Sequence, residues 1–263
     1  MKLPIALTIA GSDSGGGAGI QADLKTFAAL GVHGTSVITA ITAQNTITVT
    51  DIFELPVAII TSQIAAVMSD LDVRAAKTGM LASSQIIDAV AVAITKHRIT
   101  NLVVDPVMVA KGGARLLRDD AIDSLRLRLL PLAAVITPNL PEAEVILGRR
   151  VQTLAERRGA ARDLVALGVR AAVVKGGHSE SDVTDVYWDG TNMVELTGTR
   201  MPTANTHGSG CVFSAAIAAG LATGLEPLAA VRAAKEFIGS AIEHSLEIGH
   251  GHGPVNPMFK DQQ

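Results

Sequence analysis

The sequence predicts an α/β protein with a mainly parallel central sheet and helices on both faces. Three observations predict it. Short apolar or β-branched runs alternate with helix-period segments along the 263 residues, and the connections between them are short. The runs at 5–10, 102–104 and 171–174 are apolar without alternation, as strands buried on both faces must be. Most of these runs end in glycine or a polar residue, where strands of an open α/β sheet feed ligand-binding loops.

Composition narrows the classes. Apolar residues make up 48% and charged residues 18%, which excludes a disordered chain. The length fits one large domain, and a single domain over 1–263 is expected. Aromatics at 3%, a formal charge of -3 and the lack of a dense Lys/Arg run exclude a nucleic-acid surface. One cysteine excludes an intrachain disulfide and suits a reducing cytoplasm. Met1-Lys2 followed by apolar 3–10 has the outline of a signal peptide. A single positive charge and direct entry into Gly-rich sequence make a buried first strand the better reading. No apolar run approaches the ~18 residues of a membrane span, so a soluble, cytoplasmic protein is expected.

Taken in order, strand 5–10 ends in Gly11-Ser12-Asp13-Ser14-Gly15-Gly16-Gly17-Ala18-Gly19, and a helix follows over about 18–30. This is neither a clean G-x-G-x-x-G nor a Walker loop. Residues 35–43 form a second strand running into Gln44, and 47–53 alternates as an edge strand or hairpin. A helix at 56–71, a strand at 73–78 ending in Gly79-Met80, and a helix at 83–97 with Ser83 as candidate cap come next. Strand 102–104 ends in Asp105-Pro106, and 108–117, with Lys111-Gly112-Gly113, is a candidate lid. Helix 119–130, strand 133–136 ending in Thr137-Pro138-Asn139, and a helix begun by Pro141 and carrying Glu142 follow. Then come helix 153–167, strand 171–174 ending in Lys175-Gly176-Gly177-His178, and a hairpin turning at Asp189-Gly190. A helix at about 227–246 precedes a tail rich in Gly, His and Pro, read as a mobile loop around His250 and His252.

The chemistry collects at Asn205-Thr206-His207-Gly208-Ser209-Gly210-Cys211, which opens a helix of small apolar residues. The first turn of a helix carries unpaired N–H groups and partial positive charge, and Gly208 and Gly210 let an anion approach them. Cys211 at that mouth is expected to have its pKa lowered toward thiolate, as a base or nucleophile. The strand ends add Asp105 and Glu142 as hard oxygen donors for Mg2+, and Lys175 to neutralise phosphates. Carboxylates, a lysine and an anion turn on one rim form a phosphoryl-transfer set. Asp13 and Asp23 are read as partners of helix N-termini. A cysteine hydrolase would need a histidine; His207 and His178 are nominal candidates without an obvious orienting carboxylate.

Seven blocks in order then carry a resemblance over nearly the whole chain: residues 6–23, Thr42-Ala43-Gln44-Asn45-Thr46, Lys77-Thr78-Gly79-Met80-Leu81, Val104-Asp105-Pro106-Val107-Met108, Thr137-Pro138-Asn139-Leu140-Pro141-Glu142-Ala143-Glu144, Val174-Lys175-Gly176-Gly177-His178 and residues 205–211. The sequence resembles the hydroxymethylpyrimidine and phosphomethylpyrimidine kinases of thiamine biosynthesis, within the ribokinase-like superfamily. That resemblance implies a three-layer ribokinase-like fold. It also implies transfer of the ATP γ-phosphate to 4-amino-5-hydroxymethyl-2-methylpyrimidine, then to its monophosphate. By resemblance Gln44 reads the pyrimidine edge, and Gly11, Asp23, Met80 and Val107 belong to the substrate pocket. Asp105, Thr137, Asn139, Glu142, Lys175 and Lys235 match the ATP and Mg2+ side. Gly208, Ser209, Gly210 and Lys175 serve transfer, with Cys211 as base where ribokinase relatives usually carry Asp. A homodimer is implied. Ser209 stands where the family commonly has Thr and keeps the hydroxyl. The rival readings are a pyridoxal kinase, against which the lack of a cysteine in 108–113 weighs, and a non-catalytic nucleotide-binding regulator.

Overall fold

The computed structural model describes residues 3–110, 112–118, 120–177 and 183–262. The first apolar run is the centre of β1 (Ile5–Asp13), which is buried from Ala6 to Gly11. β2 (His33–Gln44) and β4 (Val73–Thr78) flank it, both parallel. β5 (Leu102–Val104), β6 (Val135–Ile136) and β7 (Ala171–Val174) extend the parallel array beyond β4. Antiparallel strands close the edges: β3 (Val49–Glu54) on β2, β8 (Asp185–Trp188) on β7, and β9 (Met193–Leu196) on β8. The order is β3-β2-β1-β4-β5-β6-β7-β8-β9. The expected hairpin forms, with Asp189 Oδ1 accepting the N–H groups of Thr191 and Asn192.

Helices α1 (Gly19–Ala29), α7 (Ser209–Ala222) and α8 (Pro227–Glu243) cover one face. The other carries α2 (Val57–Asp70), α3 (Ser84–Lys96), the short α4 (Ala121–Ser124), α5 (Leu140–Leu147) and α6 (Leu154–Ala166). Successive strand residues point to opposite faces. Val103, Val135 and Val173 therefore pack under α7, while Val104, Ile136 and Val174 pack under the opposite helices. Each fully buried Val or Ile contributes about 1.5–3 kcal/mol. Two-sided burial is why these strands read as unbroken apolar runs, and why α7, buried from Val212 to Ala219, has no polar face.

Three local expectations change. Ser83 stands at the N-cap of α3, yet its side chain makes no capping hydrogen bond. The helix expected at 119–130 is only α4, followed by a loosely wound turn and a tight turn at Leu130–Leu132, where Pro131 has no N–H to continue a regular ladder; Asp119 lies outside the described residues. The Gly/His/Pro tail is held rather than loose. Thr46 accepts the N–H groups of His250, Gly251 and His252, and Val255 and Phe259 are buried in the α7–α8 core.

The crevice follows from the strand order. The chain leaves β1 for β2 on one side and later sets β4 on the other, so the loops at the carboxyl ends of β1 and β4 diverge there. α7 packs over β4 and β5 and points its N-terminus into that gap.

Candidate active site

A cleft of about 1290 Å³ opens at this end of the sheet. Gly11, Gln44 and Met80 reach it from the ends of β1, β2 and β4. Asp105 and Val107 reach it after β5, Asn139 and Glu142 at the start of α5, and Lys175 after β7. Gly208, Ser209, Gly210 and Cys211 enter with α7, and Lys235 with α8. The structure thus brings together residues spread over most of the chain. Asp23 and Thr137 do not line the cleft. Asp23 lies fully buried, accepting from Lys77 Nζ and from the Thr8 hydroxyl, and it is Lys77 that reaches the cavity wall. Thr137 is buried behind Asp105 and donates to its Oδ1 at 3.4 Å.

Gly208 is the N-cap of α7 at φ 76°, the left-handed region that glycine tolerates. The turn leaves the Gly210 and Cys211 N–H groups without partners four residues back in the helix. A Cβ at Gly210 would come within 3.3 Å of Lys175 Nζ and 3.7 Å of Asp105 Oδ2, so the anion turn abuts the charged centre directly. A side chain there would have to displace the Lys175 ammonium by a few tenths of an ångström.

The thiol corrects an expectation. Burial pushes the Cys211 pKa up to about 11; Lys77 and the Gly19 N–H lower it, but Asp23 and Asp105 add to the rise. Desolvation outweighs the helix terminus, so Cys211 is a neutral thiol in the free protein.

Lys175 Nζ donates to Asp105 Oδ1 at 3.3 Å. Burial works against the ammonium, and Asp105 and Glu142 more than compensate, raising its pKa. The Ser214 hydroxyl lies 3.2 Å from Asp105 Oδ2. Glu142 is the third residue of α5, where a capping box forms: Asn139 Oδ1 accepts the Glu142 N–H, and Glu142 Oε2 accepts the Asn139 N–H. Burial raises the Glu142 pKa to about 7, Lys175 opposing and Asp105 reinforcing. Two neighbouring carboxylates against one lysine leave a place for a hard cation, so the donor set fits Mg2+. Among the described residues no group of three or more His, Cys, Asp or Glu forms a metal cage. Lys235 Nζ donates to Asp185 Oδ2 at 2.7 Å and to the Val183 carbonyl, so its charge enters the cleft already paired.

Asp13 meets the N-terminus of α1 as the sequence suggests, whereas Asp23 pairs with Lys77 instead, and nothing in the sequence pointed to the link from Asp13 to His207. Asp13 accepts the N–H groups of Gly15, Gly17 and Ala18, shaping the glycine loop at the start of α1, and lies 2.9 Å from His207 Nε2. His207 therefore has an orienting carboxylate after all, 194 positions away. Among the described residues no hydrogen bond joins His207 to Cys211, so the pair a cysteine hydrolase needs is not formed. The other histidine candidate, His178, and Lys111 of the candidate lid lie outside the described residues. The rest of that segment is a tight hairpin, with the Ala110 N–H on the Ala114 carbonyl and Met108 and Val109 on the cleft wall. One signal for Lys77 was available: a lysine inside a buried strand demands a carboxylate.

Residues 13–256 match the family model described as phosphomethylpyrimidine kinase. The chain is 52% identical over 260 residues to the hydroxymethylpyrimidine/phosphomethylpyrimidine kinase of Rhizobium meliloti, covering 97% of each. It is 49% identical to the thiamine biosynthesis bifunctional protein of Geobacter sulfurreducens, spanning 96% of this chain and 52% of that one. An ADP complex of Bacillus subtilis pyridoxal kinase superposes over the full length of both chains, with a TM-score of 0.92 and 40% identity. The chain belongs to the phosphomethylpyrimidine kinase family, with the ribokinase-like fold.

Proposed function

We infer from this membership that the protein transfers the γ-phosphate of ATP to 4-amino-5-hydroxymethyl-2-methylpyrimidine, and then to the monophosphate, in thiamine biosynthesis. The observation that carries the reading is the anion turn of α7 opening against the Lys175–Asp105 pair, in the same cleft as the Gln44 amide.

Position in the cleft supports the following roles. The Gln44 amide, a paired donor and acceptor, reads the aminopyrimidine edge, and Gly11, Met80 and Val107 wall the ring. The N–H groups of the 208–211 turn meet the charge that develops on the transferring phosphoryl group. Lys175 and Lys235 face the nucleotide phosphates, and Asn139 shapes the loop beside them. Thr137 holds Asp105 from behind, and Asp23 holds Lys77. Asp105 and Glu142 would hold Mg2+, which would supply positive charge against the phosphates. Cys211 Sγ accepts the proton of the attacking hydroxyl, drawing on the thiolate fraction that Lys77 sustains.

In this reading the protein works in the cytoplasm; no helix among the described residues is long and apolar enough to cross a membrane. It works as a homodimer, a state supported by Ile41 and Phe53, partners across β2 and β3 that are both largely exposed. The pyridoxal kinase reading rests on the structural likeness alone.

The test is ADP release with Mg-ATP, offering hydroxymethylpyrimidine, its monophosphate and pyridoxal in parallel. Turnover of both pyrimidines with little on pyridoxal is expected. Turnover of pyridoxal alone would overturn the reading, and silence on all three would favour a regulator.

A further inference from the structure

The Gln44 side chain is held at both ends by groups whose hydrogen-bonding sense is already committed. Its amide nitrogen is placed 3.3 Å from His207 Nε2 and its oxygen 3.2 Å from Thr42 Oγ1. Neither contact works in that sense. His207 Nε2 lies 2.9 Å from Asp13 Oδ2. A carboxylate only accepts, so Nε2 carries the proton and has no lone pair for a second N–H. The Asp13 carboxyl stays ionised: burial opposes this, but His207 and the N–H groups of Gly15 and Ala18 prevail and hold its pKa below the ordinary value. The single Thr42 hydroxyl proton goes to the Ser12 carbonyl at 2.9 Å, so toward Gln44 this oxygen accepts. Amide oxygen and nitrogen are interchangeable in shape, and half a turn of the amide removes the mismatch: Oε1 shares the Nε2 proton with Asp13 as a second, longer acceptor, and the NH2 donates to Thr42 Oγ1.

We propose that the Asp13–His207 pair is a positioning device that fixes the direction of the Gln44 amide, oxygen toward His207 and NH2 toward Thr42, and so fixes which way round the substrate ring lies. The inference rests on the pyrimidine reading above. With the amide so directed, the remaining lone pair of Oε1 takes the exocyclic amino group on the His207 side, and the remaining N–H meets the ring nitrogen on the Thr42 side. In 4-amino-5-hydroxymethyl-2-methylpyrimidine the amino group stands between that ring nitrogen and the hydroxymethyl arm. The arm is then carried past His207 toward Gly208, the first residue of the anion turn, and toward Cys211. The opposite amide direction would set the ring nitrogen beside His207 and turn the arm away from the turn. One buried carboxylate thus couples recognition of the edge to delivery of the reacting hydroxyl.

The test compares the substrate with its 4-oxo analogue, in which donor and acceptor on that edge are exchanged, in three proteins: the unmodified chain, His207→Phe, which keeps a ring but loses the donor, and His207→Gln, which restores an N–H. A site built to hydrogen-bond its substrate rejects the mismatched analogue by about 10⁴-fold. His207→Phe is expected to raise the KM for the amino substrate, leave the KM for ATP unchanged, and shrink the amino-to-oxo preference in kcat/KM by at least about tenfold. His207→Gln is expected to recover most of that preference. Thermal unfolding of each variant reports folding separately. An unchanged preference in a folded His207→Phe protein would overturn the proposal, because a packing defect lowers both substrates alike. Failure of the unmodified chain to turn over the amino substrate would instead overturn the pyrimidine reading.

Discussion

Lys77 Nζ lies 3.0 and 2.9 Å from the two carboxylate oxygens of Asp23, with both side chains shut off from solvent beneath the cleft. Burial disfavours the ammonium, but Asp23, with Cys211 and Asp105, holds its pKa above the ordinary range. The pair joins α1 to β4 and sets a fixed positive charge under the thiol of α7.

Breaking the pair from one side leaves a buried charge alone. Lys77→Met is expected to cost about 3–5 kcal/mol of folding stability, and adding Asp23→Asn to recover much of it. Denaturant unfolding of the two variants measures this. A single variant costing under about 1 kcal/mol would show that the pair is not what holds Asp23 in the core.

The thiol predicts a pH dependence with a definite sign. With burial pushing the Cys211 pKa up to about 11, the thiolate is scarce at neutral pH and grows as pH rises toward that value. If Sγ takes the hydroxyl proton, kcat rises by up to about tenfold per pH unit between about pH 7 and 10. Cys211→Ala should be slow and flat over the same range while binding ATP normally. A flat profile in the unmodified enzyme would remove Cys211 as the base and leave activation to the anion turn.

Gly208 tests the turn itself. At φ 76°, with its would-be Cβ facing the Gly17 carbonyl oxygen, Gly208→Ala is strained by about 1–3 kcal/mol from the backbone alone. The relief available is to unwind the first turn of α7. Turnover should therefore fall far more than pyrimidine binding, read as a kcat loss with a nearly constant KM. Loss confined to KM would place the phosphoryl group elsewhere.

Much of the site was legible because strand ends and glycine turns announce themselves locally. Gly11, Gln44, Asp105 and Lys175 stand where an apolar run stops, the 208–211 turn stands where one begins, and the fold puts all of them on one cleft. Glu142 was legible as a carboxylate, though not as half of a capping box. Its partner Asn139 is three residues away, so the N-x-x-E spacing was there to be read. The tail was misread for a physical reason. Glycine, histidine and proline carry the composition of a free loop, and nothing local reveals that Thr46 receives its N–H groups.

By itself the sequence determined the layered α/β fold, because two-sided burial forces continuous apolar strands and alternation with helices forces parallel connections. It also determined the residue types of the phosphoryl-transfer set. Tertiary structure alone decided the electrostatics. Whether a thiol at a helix mouth is charged depends on how far water is excluded and which charges face it, and here burial, Asp23 and Asp105 outweigh the helix terminus. It alone decided pairings such as Asp13 with His207 and Asp23 with Lys77, 194 and 54 positions apart. A lysine inside a strand announces that it needs a carboxylate, but nothing local says which one; the contacts exist only once the sheet has ordered its strands.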